Sequence, residues 1–510
     1  MTRGRRVEWF ALAAWLGGIV LVRAGSPDER DPYWQIRAGL ENLEGAPLIR
    51  ADAWSWAPVD GSFVPTSPAW NLLLALAWRA AGSWGFFVLT CLALGALLAV
   101  VVLLARRLGS RTMPMLLAVV GVCLLVFPML SARATVPAQA LLLGSVLLAF
   151  RWSERAATRS VGVNTAATAA GGLVLAAAGV WLHLSWLGLA AAAALAWAVI
   201  WLLTPGLGVR RVVALTGGGT AGLLAGVALG PYGIPRALEQ SQVVAAASSG
   251  LLTEWMSPFT SGLAWRWAPA ALVALGAALA CSAWVLRRLR SGDRGDPRTR
   301  LAAALTAVAL PFALAGLQAI RFVGVALLLL APLLAAGATA LAERAQAAAA
   351  RTPHEGVWRS ARAREWTTGT FWRVILGATA LILIPGVVFL AAPHGRPPEA
   401  AALESLPAGC RLFSSEDIAG AAILLRPDVP IWTDTRAGYW GRERLLAART
   451  ALHSPAPQAP TPDGATCVVL PEAGRDASYG RLVSVLQADP GWDQATAVGG
   501  FAVWLPADVR

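Results

Sequence analysis

The chain has 510 residues, of which 57% are apolar and only 14% charged, with a mean hydropathy of +0.58. Soluble domains carry roughly 25% charged residues, so this composition excludes an ordinary water-soluble globule and points to a chain whose main solvent is lipid. The net charge of +13 comes from 42 basic residues, all arginine, and the way they are distributed excludes a nucleic-acid surface.

Crossing about 30 Å of hydrocarbon takes roughly 20 apolar residues. Such runs lie near 7–24, 84–105, 112–130, 134–151, 164–182, 185–204, 212–230, 268–287, 301–320, 322–342 and 373–392, which predicts about eleven transmembrane helices. The first run follows MTRGRR and ends at Arg23 without a small-x-small cleavage site, so it reads as an uncleaved anchor. Residues 69–81, AWNLLLALAWRAA, are too short to span comfortably and read as an amphipathic interfacial helix. With the N-terminus inside, the inner connections carry 23 arginines and the outer segments before the tail carry 9. That is the positive-inside asymmetry, and it inverts if 69–81 is counted as a span. The expected location is therefore the cytoplasmic membrane, multi-pass, N-terminus inside and C-terminal domain outside.

Three outer segments are long: 25–68, 231–267 and the tail from 393. The first packs Asp28, Glu29, Asp31, Asp52 and Asp60 beside Tyr33, Trp34, Trp54 and Trp56. Carboxylates just beyond a span are costly unless solvated or used. A solvated loop with an aromatic belt accounts for the same residues without chemistry. His183 lies in a turn between two spans, and Arg133 and Arg321 at outer helix ends. Glu254 and Trp255 belong to the second long loop. Interfacial packing and snorkelling are the plain alternatives for these.

Cys91, Cys123 and Cys281 fall in apolar runs and match no zinc spacing. From about residue 399 the pattern changes. PEAAALESL reads as a helix, CRLFSS, PIWTD, TCVVLPE and AVGGFAVWLP as short strands, and 477–490 as a helix. Alternating strands and helices predict a small α/β domain over 393–510, following a membrane domain over 1–392. The segment 453–464 is a Pro-rich loop. Asp434 and Arg436 follow a strand end, where they can bind a ligand or cap the next helix. Cys410 and Cys467 each open a predicted strand, and an outer location permits oxidation, so they are expected to form a disulfide.

The order of these features resembles a bacterial polytopic membrane family similar to GT-C glycosyltransferases. That family's first loop has an acidic pair, then Trp-Trp-His-Leu-x-x-Gly, then Val-Pro-x-x-Asp-x-Phe-Ser-Tyr. The corresponding run here is Glu29-Arg30-Asp31-Pro32-Tyr33-Trp34-Gln35-Ile36-Arg37-Ala38-Gly39, followed by Pro47 to Trp56, with Gln35 where the family has His. Arg133 to Gln139, Trp181 to Ser185, Pro231-Tyr232-Gly233, Glu254-Trp255 and Arg321 with Pro332 match later elements in the family's order, as do RLFSS, IWTDTRAGYWG and TCVVLPE in the tail.

The resemblance implies a sugar carried on polyprenyl phosphate, transferred outside the membrane to a glycan, lipid or protein acceptor. Asp31 holds the position of the family's acid and is the expected base, with Glu29 and Asp28 next. Asp52 is expected to bind acceptor or orient the loop. Arg133 and Arg321, with His183, are expected at the donor phosphate, because guanidinium forks suit phosphate geometry. Trp34, Gln35 and Glu254 complete the expected substrate-binding set, with Trp34, Trp54 and Trp56 stacking on sugar faces. A divalent metal is left open. A transporter or flippase for a lipid-linked precursor, and a non-catalytic cell-envelope scaffold, are the competing readings. The helix centres lack the ionisable residues that transporters place at mid-membrane.

Overall fold

A computed structural model describes residues 3–25, 30–156, 160–351, 373–374, 377–381, 383–384, 397–472 and 474–509. The chain begins with α1 (Arg3–Gly25), α2 (Asp31–Leu43), α3 (Pro68–Arg107), α4 (Thr112–Leu125), α5 (Thr135–Ala156) and α6 (Val161–Leu182). It continues through α7 (Trp186–Leu202), α8 (Val209–Ala228), α9 (Gly233–Ser248), α10 (Ala264–Arg290), α11 (Pro297–Ala315) and α12 (Ile320–Arg351). Eight of these are long and apolar enough to cross a membrane, and α4 and α7 are shorter apolar helices. The chain is thus a multi-pass membrane protein. Ten of the predicted runs fall on helices; for 373–392, the described parts are helical and the rest lies outside the described residues.

The segment 69–81 forms the first part of α3, which breaks at Ala81 and at Gly82, whose φ is +55°. Before the break, Trp70 donates to Ala132 O at 3.1 Å, and Leu74 packs with Ile36 and Ala134. After the break the helix runs on as a span.

The alternation of the helices can be read from which ends meet. On the arginine-rich face, Arg106 donates to Ser110 O, Arg111 pairs with Glu343 at 2.9 Å, and buried Arg300 donates to Thr204 Oγ1 at 2.9 Å and Ser153 Oγ at 3.3 Å. On the arginine-poor face, Arg23 donates to Leu130 O at 2.6 Å and Tyr232 to Pro65 O at 2.6 Å. There, too, Leu184 N donates to Thr66 O and Ile320 N to Met256 O. Each set joins connections that the arginine count puts on one face.

Inside the bundle, close approach is made by small residues. A Cβ at Gly222 would lie 2.0 Å from Ala169 O, and one at Gly226 would lie 2.3 Å from Leu173 O. The backbones of α6 and α8 meet along this stripe, where packing rather than hydrophobicity drives association.

The tail is a four-stranded sheet in the order β1-β2-β4-β3, with β1 (Leu412–Ser414), β2 (Cys467–Pro471), β3 (Trp492–Val498) and β4 (Phe501–Pro506). β1 and β2 are parallel and the other pairs antiparallel. Helices α13 (Ala400–Glu404), α14 (Glu416–Leu425), α15 (Ala437–His453) and α16 (Gly480–Ala488) complete a small α/β domain. Cys410 and Cys467 form the expected disulfide, while Cys91, Cys123 and Cys281 are free.

One strand expectation needs correction. PIWTD is no strand: Ile431 makes single bridges to Leu412 on one side and Ser55 on the other. AVGGFAVWLP holds the end of β3, a turn at Gly499 and Gly500, which both take positive φ, and the whole of β4, the geometry of a tight hairpin. The bridge from Ser55 to Ile431 brings the first long loop onto the tail. Trp56 N donates to Ile431 O at 3.0 Å and Ile431 N to Trp54 O at 2.8 Å.

Candidate functional site

Asp31 opens α2, with Pro32 at the first helical turn, where Pro has no N–H to lose. Its Oδ1 accepts from Trp34 Nε1 at 3.3 Å and from the Thr435 hydroxyl of the tail. Its Oδ2 faces Arg133 Nη2 at 4.0 Å. Arg133, before α5, is paired with Glu254, whose other oxygen lies 3.9 Å from Arg321 Nη1. The Arg321 guanidinium stacks over Trp255 at 4.1 Å. His183 stands between α6 and α7 in electrostatic reach of Arg321, Glu254 and Arg133.

Five residues from five separate segments, Asp31, Arg133, His183, Glu254 and Arg321, therefore gather on the arginine-poor face. Burial pushes the Glu254 carboxyl up, but Arg133 and Arg321 outweigh it and hold the group below its ordinary range. Burial, reinforced by Arg321, pulls His183 down to about 3. The imidazole is neutral at physiological pH. Ser185 N donates to His183 Nδ1 at 3.0 Å, which places the proton on Nε2. The site can hold an anion between two guanidinium groups beside a carboxylate base.

Two residues that sequence reasoning missed border this cleft. Glu416 and Asp417 begin α14 and lie in electrostatic reach of Asp31. Burial, then Asp417, Asp434 and Asp31, push Glu416 up to about 7. In sequence they look like ordinary acids of a helix first turn. Among the described residues, no group of three His, Cys, Asp or Glu side chains is placed to hold a metal ion.

The other expected residues lie elsewhere. Glu29 and Asp28 fall outside the described residues. Gln35 points away from the cleft, buried, with its amide donating to Ser67 Oγ at 3.3 Å; it ties α2 to α3. Asp52 is sealed in an ion pair with Arg436 at 2.7 Å, both side chains 1% exposed, and so orients the loop. Trp34 and Trp54 are buried against Phe63 and offer no stacking face. Trp56 donates to Leu412 O at 3.1 Å.

Asp434 accepts from Arg436 N at 2.7 Å and from its guanidinium, and also from Trp440 Nε1 at 3.1 Å. The Arg436 guanidinium sits among Trp54, Phe63, Tyr439 and Trp440. The pair forms a junction instead of a helix cap: Asp434 holds Arg436 just ahead of α15, and Arg436 locks the first loop to the tail. Arg30 adds a bidentate contact to buried Glu399, at 2.6 and 3.1 Å.

No family model and no curated protein matches this chain. Solved structures do. The archaeal oligosaccharyltransferase AglB from Archaeoglobus fulgidus, in complex with an inhibitory peptide and a dolichol-phosphate, is similar at 12% identity and a TM-score of 0.53, over 99% of this chain and 75% of that one. A crystal structure of that organism's oligosaccharyltransferase tethered with an acceptor peptide is similar at 14% identity and a TM-score of 0.50, over 95% and 71%. ArnT from Cupriavidus metallidurans in the apo state is similar at 14% identity and a TM-score of 0.50, over 98% and 97%. At these identities the likeness establishes architecture: the chain has a GT-C-like fold, a helical membrane domain with a small C-terminal α/β domain.

Proposed function

We propose that this protein is a membrane glycosyltransferase that moves a sugar from a polyprenyl-phosphate carrier to an extracytoplasmic acceptor. The observation that carries the reading is the meeting of Asp31 with Arg133, Arg321 and His183 on one face of the bundle. The solved proteins of the same fold include one in complex with dolichol-phosphate and one tethered with an acceptor peptide, which supports a lipid-linked donor and a separate acceptor. The orientation is the one given by the arginines: N-terminus inside, site and tail outside.

In the proposed reaction the phosphate is already a good leaving group, so a general acid is not essential. The acceptor hydroxyl needs a base. Asp31 Oδ2 takes its proton as the oxygen attacks the anomeric carbon in line with the departing phosphate. The carbon–oxygen bond to the carrier breaks, and its electron pair leaves with the polyprenyl phosphate. A single displacement inverts the anomeric centre. Arg133 and Arg321 neutralise the charge that accumulates on the phosphate, while neutral His183 donates from Nε2. Glu254 spaces the two arginines and balances their charge until the donor arrives.

The test is reconstitution in lipid with a series of polyprenyl-phosphate sugars, comparing wild type with Asp31→Asn. Loss of about 10²–10⁴-fold in rate is expected for removal of a general base. Equal transfer by both proteins removes Asp31 from this role. Absence of transfer with movement of the carrier across the bilayer replaces the enzyme by a transporter. A reporter fused after Arg510 that is active only inside the cell overturns the orientation.

A further inference from the structure

A carboxylate that acts as a base needs one oxygen held and the other aimed. Rotation of a free Asp exchanges the two oxygens, and a neighbouring guanidinium can capture either. At Asp31 that exchange is blocked from two directions. Oδ1 accepts from Trp34 Nε1, on the same helix, and from the Thr435 hydroxyl, which also accepts from Trp34 Nε1 at 3.2 Å. The three groups close a small ring of hydrogen bonds and leave Oδ2 facing the cleft.

Thr435 is itself held firmly. It lies between Asp434 and Arg436, which are 0% and 4% exposed. The Arg436 guanidinium is fixed by Asp434, by Asp52 and by four aromatic rings. The position of one hydroxyl is thereby referred to a sealed ion triad in which the first loop and the tail both take part. We propose that Thr435 is a positioning residue for Asp31, so that the C-terminal domain completes the catalytic centre. This inference rests on the glycosyl-transfer reading.

The experiment uses the full chain in lipid nanodiscs with a synthetic polyprenyl-phosphate sugar that wild type transfers. Thr435→Val keeps the shape and deletes the donor; Thr435→Ser keeps the donor. For T435V the expected result is a fall in kcat of about tenfold, the scale of one hydrogen bond to a charged group. Donor KM stays within about twofold, since the hydroxyl holds the base and not the donor. T435S restores kcat. An active wild type with T435V identical in kcat overturns this inference alone. So does a loss that T435S fails to restore and that follows a lowered melting temperature. A wild type inactive on every such donor removes the parent reading, and this inference with it.

Discussion

Two arginine–carboxylate clusters lie on the same face of the molecule, close in space and opposite in construction. Around Arg436, the carboxylates of Asp52 and Asp434 and four aromatic rings exclude water, and the side chains are at most 1% exposed. Around Arg133 and Arg321, Glu254 is shared by the two guanidinium groups, Asp31 stands 4.0 Å from Arg133, and the side chains are 20–31% exposed. The first cluster is closed to water. The second is partly open, so a ligand can reach it. The residue types are the same; water access separates a structural junction from a candidate site.

The sharpest way to break this contrast is Arg436→Leu. Deleting one partner strands two buried carboxylates and is expected to cost about 3–5 kcal/mol, read as a drop in thermal midpoint by tryptophan fluorescence in detergent. Wild-type stability in that variant would make the junction no more structural than the cleft. Next in size is the Cys410–Cys467 disulfide, which closes a 57-residue separation in the tail. Its reduction is expected to destabilise the tail by roughly 2–4 kcal/mol, seen as faster proteolysis after β1 with the membrane helices intact.

Acidity sharpens the comparison further. His183 sits near 3 when folded and 6.5 when unfolded. Between those values only the unfolded chain binds the proton, so stability falls as pH drops below about 6.5. Glu416 sits near 7 when folded and 4.5 when unfolded. Between those values only the folded chain holds the proton, so stability falls as pH rises through that window. The two oppose one another over their shared range. In midpoints measured between pH 5 and pH 7, His183→Gln is expected to gain stability on acidification and Glu416→Gln to lose it, by on the order of 1 kcal/mol in each direction. Equal slopes in both variants would show that neither group is held as described. The smallest effect belongs to Glu254→Gln. In an open cluster it should shift stability by less than about 1 kcal/mol, while altering the KM for the lipid donor.

The membrane domain was readable in the sequence because lipid leaves few choices. Apolar runs must be helical to satisfy their backbone, and arginines sort the connections. The length of 69–81 set it apart from the run that follows, and α3 breaks at Ala81 and Gly82 between the two. The candidate site was readable at the level of which loops meet, since Arg133, His183, Glu254 and Arg321 all fall in connections assigned to one face. What could not be read was the difference between Asp31 and Asp52. Both are carboxylates beside tryptophan in one loop, and what separates them is Arg436, 384 positions away. Thr435 was invisible for the same reason. In the tail, PIWTD has the composition of a strand but finds a partner on either side for Ile431 alone, and Gly-Gly inside AVGGFAVWLP marked a reversal rather than a continuous strand.

The bridge between Ser55 and Ile431 has a kinetic consequence. Synthesis runs from the N-terminus at about 5–20 residues per second, so the loop around Asp52 waits on the order of 20–80 s for the segment that encloses it. During that interval the nine described apolar helices α3 to α8 and α10 to α12 are made, while Asp31 lacks its contact with Thr435. A chain arrested before Pro397 would possess every membrane-domain residue of the cleft and still lack the clamp. The enclosure of Asp52 and the contact of Asp31 with Thr435 therefore form only after the membrane helices up to α12 have been made.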